Sequence, residues 1–333
     1  MFAVRPLPCQ PEGLLDRRAC GRLQLLHWNA VLPDGTPWEE DYQLPYLRIR
    51  DTDLYYREHG SGPLAVFLHA YLTDHTMWLD QLRELGNLRR CVAIDMRGFG
   101  RSDPIVPSFL DYELYADDVA DVVEALGEEK ADIIGFSAGG TIAVTLWKRH
   151  PKVVRSLVLM TPGVGGSART LPDGVSSAPG ERGSPDYLDA NARRAVFEGK
   201  AVLFDRFQVA GYHFGPKASL TAKARYRSMF EGTRTDMMVA TFQTLARGAD
   251  LVDVLPTISV PVLFVRGEDE SMPTEALRDI AGRVPGARIA MVPASGRFVM
   301  IENPEATTSA VREFWQHQPA AAAVSTRQGG TGS

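Results

Sequence analysis

Six residues constrain this chain more than any others: Gly135-Phe136-Ser137-Ala138-Gly139-Gly140 joins the short run Asp132 to Phe136 to the amphipathic stretch Ala138 to His150. The first segment reads as a buried strand and the second as a helix. Glycines on both sides of Ser137 permit a sharp turn and a close approach of strand to helix. The serine is then left exposed at the turn, with the Ala138 amide aimed at any oxyanion that develops beside it.

The same alternation of strand and helix runs on both sides of this turn. Tyr46 to Tyr56 alternates through Leu47, Ile49 and Leu54 and reads as a hairpin, and Gly60-Ser61-Gly62-Pro63 turns the chain into the apolar run Leu64 to His69. Cys91 to Ile94 is another strand, and Tyr115, Val119, Val122 and Leu126 recur at helical spacing. Val153 to Met160, Val260 to Val265 and Arg288 to Val292 read as strands, with Glu275 to Val284 as a helix. The pattern predicts an α/β fold with a mostly parallel central sheet flanked by helices.

Between Met160 and Val260 the alternation stops. Gly163 to Pro185 is rich in Gly, Ser and Pro, and helix-like stretches follow around Leu188 to Phe207 and Leu220 to Arg247. The expected organisation is an N-terminal extension over 1–45, a core over 46–163, a helical lid over 164–250 and the rest of the core over 251–318. The tail, 319–333, is Ala-rich and then rich in Gly, Ser and Thr, a composition that predicts disorder.

Composition narrows the partners. The net charge is -5 and no Lys or Arg stripe occurs, which argues against nucleic acid or an anionic membrane and for a small-molecule substrate. Oligomeric state is not readable. Cys9, Cys20 and Cys91 have no metal-ligand spacing and form no even-numbered framework, as expected in a reducing cytoplasm. Met1 to Gln10 carries Pro6 and Pro8 and does not read as a secretory signal, and no run of 18 apolar residues occurs. A soluble cytoplasmic protein is expected. No cluster of residues has metal-ligand spacing and no G-x-G-x-x-G opens a helix after the first strand, so neither a metal nor a dinucleotide is expected as cofactor.

With the Gly135 to Gly140 turn, the chain resembles the α/β-hydrolase superfamily over about 46–163 and again over about 250–315. His69-Ala70-Tyr71 stands where that family has His-Gly followed by the second oxyanion donor, which implies that role for the Tyr71 amide beside that of Ala138. Asp95 to Asp103 is similar to the family's bracing turn after the next strand. Val260 to Gly267 resembles the strand before the triad acid, and the resemblance implies Asp269 as that acid, with Glu268 and Glu270 as surface charges.

After the last strand the family carries a histidine, and in Pro293-Ala294-Ser295-Gly296-Arg297-Phe298 the histidine position is held by Arg297. The histidines are His27, His59, His69, His75, His150, His213 and His317, so none lies in the stretch 214–316. A triad histidine takes the serine proton near neutral pH and returns it to the leaving group. A guanidinium stays protonated and can only donate. If Asp269 and Arg297 meet, they should form an ion pair and not a relay. His213 and His75 are the candidate substitute bases, and the plainer reading of each is a surface or packing histidine.

Two functions follow. One is an enzyme acting on a small ester, acyl or carbonyl substrate at Ser137, with ordinary triad hydrolysis impaired by Arg297. The other is a non-hydrolytic member, a lyase, cyclase or small-molecule-binding pseudo-hydrolase, that uses the oxyanion donors and Arg297 to bind or to polarise a carbonyl.

Overall fold

The computed structural model describes residues 45–105, 110–164, 185–209, 214–270 and 274–317. The expected N-terminal extension, the expected disordered tail, Tyr212 and His213 lie outside them.

Eight strands form one sheet. They are β1 (Tyr46–Ile49), β2 (Thr52–His59), β3 (Leu64–Leu68), β4 (Arg90–Ile94), β5 (Ala131–Phe136), β6 (Val154–Met160), β7 (Val262–Gly267) and β8 (Arg288–Val292). Their order is β1-β2-β4-β3-β5-β6-β7-β8. β2 pairs antiparallel with both β1 and β4, and every other neighbouring pair is parallel. This is the mostly parallel sheet that the strand and helix alternation predicts. β3, β5 and β7 are buried at every residue because helices cover both faces, which explains why their sequences run apolar without alternating.

The covering helices are α1 (Leu79–Leu85), α2 (Tyr112–Ala125), α3 (Ala138–Arg149), α8 (Thr274–Gly282), α9 (Val299–Glu302) and α10 (Pro304–Gln316). α2 starts on Asp111, whose carboxylate caps the Glu113 amide, and buries Tyr115, Val119 and Val122, the face set by their spacing. α10 starts on Asn303, which caps the Ala306 amide, with Pro304 at the first helical position. α3 is buried along most of its length and runs from the Ser137 turn back across the sheet.

Four further helices stand between β6 and β7 in sequence: α4 (Pro185–Phe197), α5 (Lys200–Val209), α6 (Leu220–Gly232) and α7 (Thr235–Arg247). Both ends of this insertion leave the core at one place, since the Leu251 amide donates to the Val164 carbonyl at 2.8 Å. Phe204, Phe207, Phe214, Tyr226, Phe230 and Phe242 pack against one another edge to face or tilted, giving the insertion its own aromatic centre. Among the described residues no helix is long and apolar enough to cross a membrane.

Cys91 lies fully buried in β4, and burial pushes its thiol up to about 12. We expect iodoacetamide at about pH 8 to spare Cys91 in the native protein and to alkylate it only after denaturation. Peptide mapping before and after unfolding checks this, and early modification of Cys91 would contradict the packing of β4.

Candidate active site

Ser137 sits between β5 and α3 with φ 51° and ψ -112°, a strained conformation for a residue with a side chain. Its amide still continues the sheet, donating to the Met160 carbonyl at 2.8 Å. Two glycines make the turn possible. A methyl group built on Gly135 would lie 2.3 Å from the Gly139 carbonyl oxygen, and one on Gly139 would lie 2.2 Å from the Leu68 carbonyl oxygen. The start of α3 therefore touches the end of β3, where the His69-Ala70-Tyr71 loop begins. As the first residue of a helix, Ala138 has no intrahelical partner for its N–H.

The loop before Tyr71 is held by His69. Its ring is fully buried, Nε2 accepts from the Met96 amide at 2.9 Å, and the proton left on Nδ1 is donated to the Ala70 carbonyl at 2.7 Å. Burial keeps this imidazole below its ordinary pKa, so it stays neutral and serves as a brace. Thr73 donates to the same Ala70 carbonyl at 2.8 Å. The left-handed residue here is Leu72, φ 64°, and not Ala70, so the alanine in place of the family's glycine is accommodated without strain.

Arg297 follows β8 and reaches the serine. Its Nη2 donates to Ser137 Oγ at 3.1 Å, and its Nη1 donates to Glu270 Oε1 at 3.3 Å. The guanidinium carbon lies 5.7 Å from the centre of the Phe136 ring. Among the described residues these contacts use two of the five guanidinium N–H groups.

The carboxylate opposite Arg297 is that of Glu270 and not that of Asp269. Asp269 is exposed, and its tie to this region is through its backbone amide, which donates to the Ser295 carbonyl at 2.9 Å. Glu270 has a side chain only 2% exposed, with Arg297 on one oxygen. Its other oxygen accepts from Thr161 at 3.3 Å and lies 3.7 Å from Arg266 Nε. The expectation that Glu270 is a surface charge is thus corrected, and the ion pair expected between Asp269 and Arg297 is made by Glu270 instead. Past Gly267 the chain has left the strand, so adjacent residues no longer follow the two-residue alternation that tells inside from outside. A signal was present nevertheless: Arg266, buried at the end of an apolar strand, needs an anion, and Glu270 stands four residues on.

His75 does not face Ser137. Its Nδ1 is 2.9 Å from Asp95 Oδ1, the same oxygen accepts the His75 amide at 2.7 Å, and the ring packs against Tyr55. Asp95, Asp74 and His75 have the composition of a metal cluster, but the Asp74 carboxylate is taken by the Thr76 amide and hydroxyl and Asp95 by His75 and the Arg101 amide. They brace the turn after β4. Arg97 does the same through its two bonds of 2.7 Å to buried Asp118.

The sequence assigns no role to Glu302, at the end of α9, and the structure shows one. Its Oε2 accepts from the amides of Gly215 at 2.8 Å and Gly296 at 2.9 Å, and its Oε1 from that of Phe298 at 2.9 Å. Burial raises this carboxyl above its usual pKa, and the three amides oppose the shift. The Phe214 ring stacks on Phe298 at 5.4 Å and Tyr226 lies 4.3 Å from it, so the insertion packs on the loop that carries Arg297.

Residues 63–304 match the family described as alpha/beta hydrolase fold. The chain belongs to that family. A 2-(acetamidomethylene)succinate hydrolase of Mesorhizobium japonicum is 29% identical over 268 residues, which cover 78% of this chain and 90% of the relative. A 2-hydroxymuconate semialdehyde hydrolase of a Pseudomonas species is 29% identical over 266 residues, 79% of this chain and 87% of the relative. Among solved structures, an enol-lactonase from Burkholderia xenovorans LB400 superimposes with a TM-score of 0.68 at 26% identity, covering 82% of this chain and all of the lactonase (100%). All three are similar to this member of the family and are named as hydrolases of small molecules.

Proposed function

We propose that the Ser137 site holds a small molecule bearing a carboxylate or a carbonyl, and that it does so without a serine–histidine relay. One observation carries this reading: the atom beside Ser137 Oγ is a guanidinium nitrogen, 3.1 Å away, whose charge is backed by buried Glu270. A cation that cannot lose its proton gives the serine hydroxyl no base. The hydroxyl is left with its proton, ready to donate. With the amides of Tyr71 and Ala138 and the guanidinium of Arg297, it makes a cradle of donors for an oxyanion. The 164–250 insertion acts as a lid over this cradle, through Phe214 and Tyr226 against Phe298.

Such a cradle suits two occupants. A carboxylate would be bound at ground state. A ketone or acyl oxygen would be polarised, which favours steps adjacent to a carbonyl that need no acyl-enzyme. Relatives named for a succinate derivative and a muconate semialdehyde support the same class of molecule.

Titration with phenylacetate and labelling with a fluorophosphonate test the reading together. Phenylacetate should bind wild type, and Arg297→Met should weaken it about tenfold or more, the worth of a charge-assisted hydrogen bond. The fluorophosphonate should label wild type no faster than Ser137→Ala. Brisk labelling at Ser137, with ester hydrolysis abolished in Ser137→Ala, would mean that a base reaches the serine after all.

A further inference from the structure

We infer that Glu302 is a positioning residue that latches the insertion to the loop aiming Arg297 at Ser137, so that docking of the insertion and placement of the guanidinium are one event. This rests on the reading of Ser137 and Arg297 as the ligand site. The geometry is a single carboxylate that accepts both from its own loop and from Gly215, 87 residues away from it in sequence. Two of its three donors, the amides of Gly296 and Phe298, bracket Arg297 in sequence, and the third, Gly215, belongs to the insertion.

Only a carboxylate fits this role. Its two oxygens together offer about four acceptor positions and no donor, which matches three N–H groups arriving from different directions. Glutamine would keep one oxygen and turn an NH2 group toward one of the donors. The Gly215 and Gly296 backbones also lie too close for a side chain on either. A methyl group built on Gly296 would lie 2.3 Å from the Gly215 nitrogen, and one on Gly215 would lie 2.8 Å from the Gly296 nitrogen. On the far side, a methyl group on Gly267 would lie 2.0 Å from the Gly296 carbonyl oxygen. Three backbones are stacked in contact, with the Gly296 segment between the insertion and the end of β7. If the Gly215 segment lifts, Glu302 loses one of its ligands and the Arg297 loop loses the surface on which it rests.

The test is amide hydrogen exchange on the full chain, wild type beside Glu302→Gln, with phenylacetate titration of both. In wild type the Gly215, Gly296 and Phe298 amides should share one opening equilibrium. In Glu302→Gln all three should exchange at least about tenfold faster, while amides in β5 and α3 keep their protection. Phenylacetate affinity should fall about tenfold with the core unchanged, a split that a purely structural residue would not give. Gly215 exchanging independently of Gly296 and Phe298 in wild type would overturn the latch, and so would Glu302→Gln freeing the two loop amides alone. Should Glu302→Gln fail to fold, the wild-type comparison still decides. Should phenylacetate not bind wild type, the ligand reading fails while concerted exchange of the three amides upholds the latch.

Discussion

Replacing Arg297 with histidine is expected to raise ester hydrolysis at Ser137 by at least about a hundredfold, measured with a p-nitrophenyl ester and by fluorophosphonate labelling. Removing the base from a serine hydrolase costs on the order of a millionfold in turnover, leaving about a thousandfold over water from oxyanion donors and binding. A histidine on this loop starts from a position whose present side chain already lies 3.1 Å from Ser137 Oγ and 3.3 Å from Glu270. The imidazole is shorter than the arginine side chain and meets a glutamate, so only part of the millionfold should return. The acid can be identified in the same background. Adding Glu270→Gln should cancel most of the gain, because the imidazolium loses its counter-charge and its tautomer is no longer held. Adding Asp269→Asn should leave the gain intact. If Arg297→His is silent although folded, the scaffold lacks more than a base.

In the wild-type background, Glu270→Gln should lower stability by about 3 kcal/mol, because one partner of a buried ion pair is removed and the cations remain. For a domain of this size that is a fall of about 6 to 12 °C in Tm, measurable by calorimetry. The loss is large because Glu270 has almost no access to water and faces Arg297, Arg266 and Thr161 together. Exposed Asp269 is the internal control, and Asp269→Asn should change stability by less than about 0.5 kcal/mol. The pairing can be isolated with Arg297→Met: the double variant with Glu270→Gln should lose less than the two single losses added together. Strict additivity would mean that the two groups do not interact in solution.

Sequence by itself determined the features that depend on local order along the chain. The alternation of apolar runs and helical stripes specifies the parallel sheet, since a strand covered on both faces must be apolar throughout and its covering helix must be apolar on one stripe. The turn at Ser137 is legible because glycines are needed where backbones nearly touch, as Gly135 and Gly139 do. The absence of histidine from 214–316, with Arg297 after the last strand, is legible too, because it is a matter of residue order alone.

Tertiary structure alone decided which carboxylate answers Arg297 and what holds its loop. Asp269 and Glu270 are neighbours in an irregular turn, where no periodicity says which side chain points inward. Glu270 is the one turned inward, where Arg266, Arg297 and Thr161 surround its carboxylate. Glu302 shows the same limit from the other side, since its three amide partners come from segments that only the docking of the insertion brings together. Charge pairing in a low-dielectric interior is set by distance in space, and distance in space is what the order of residues does not state.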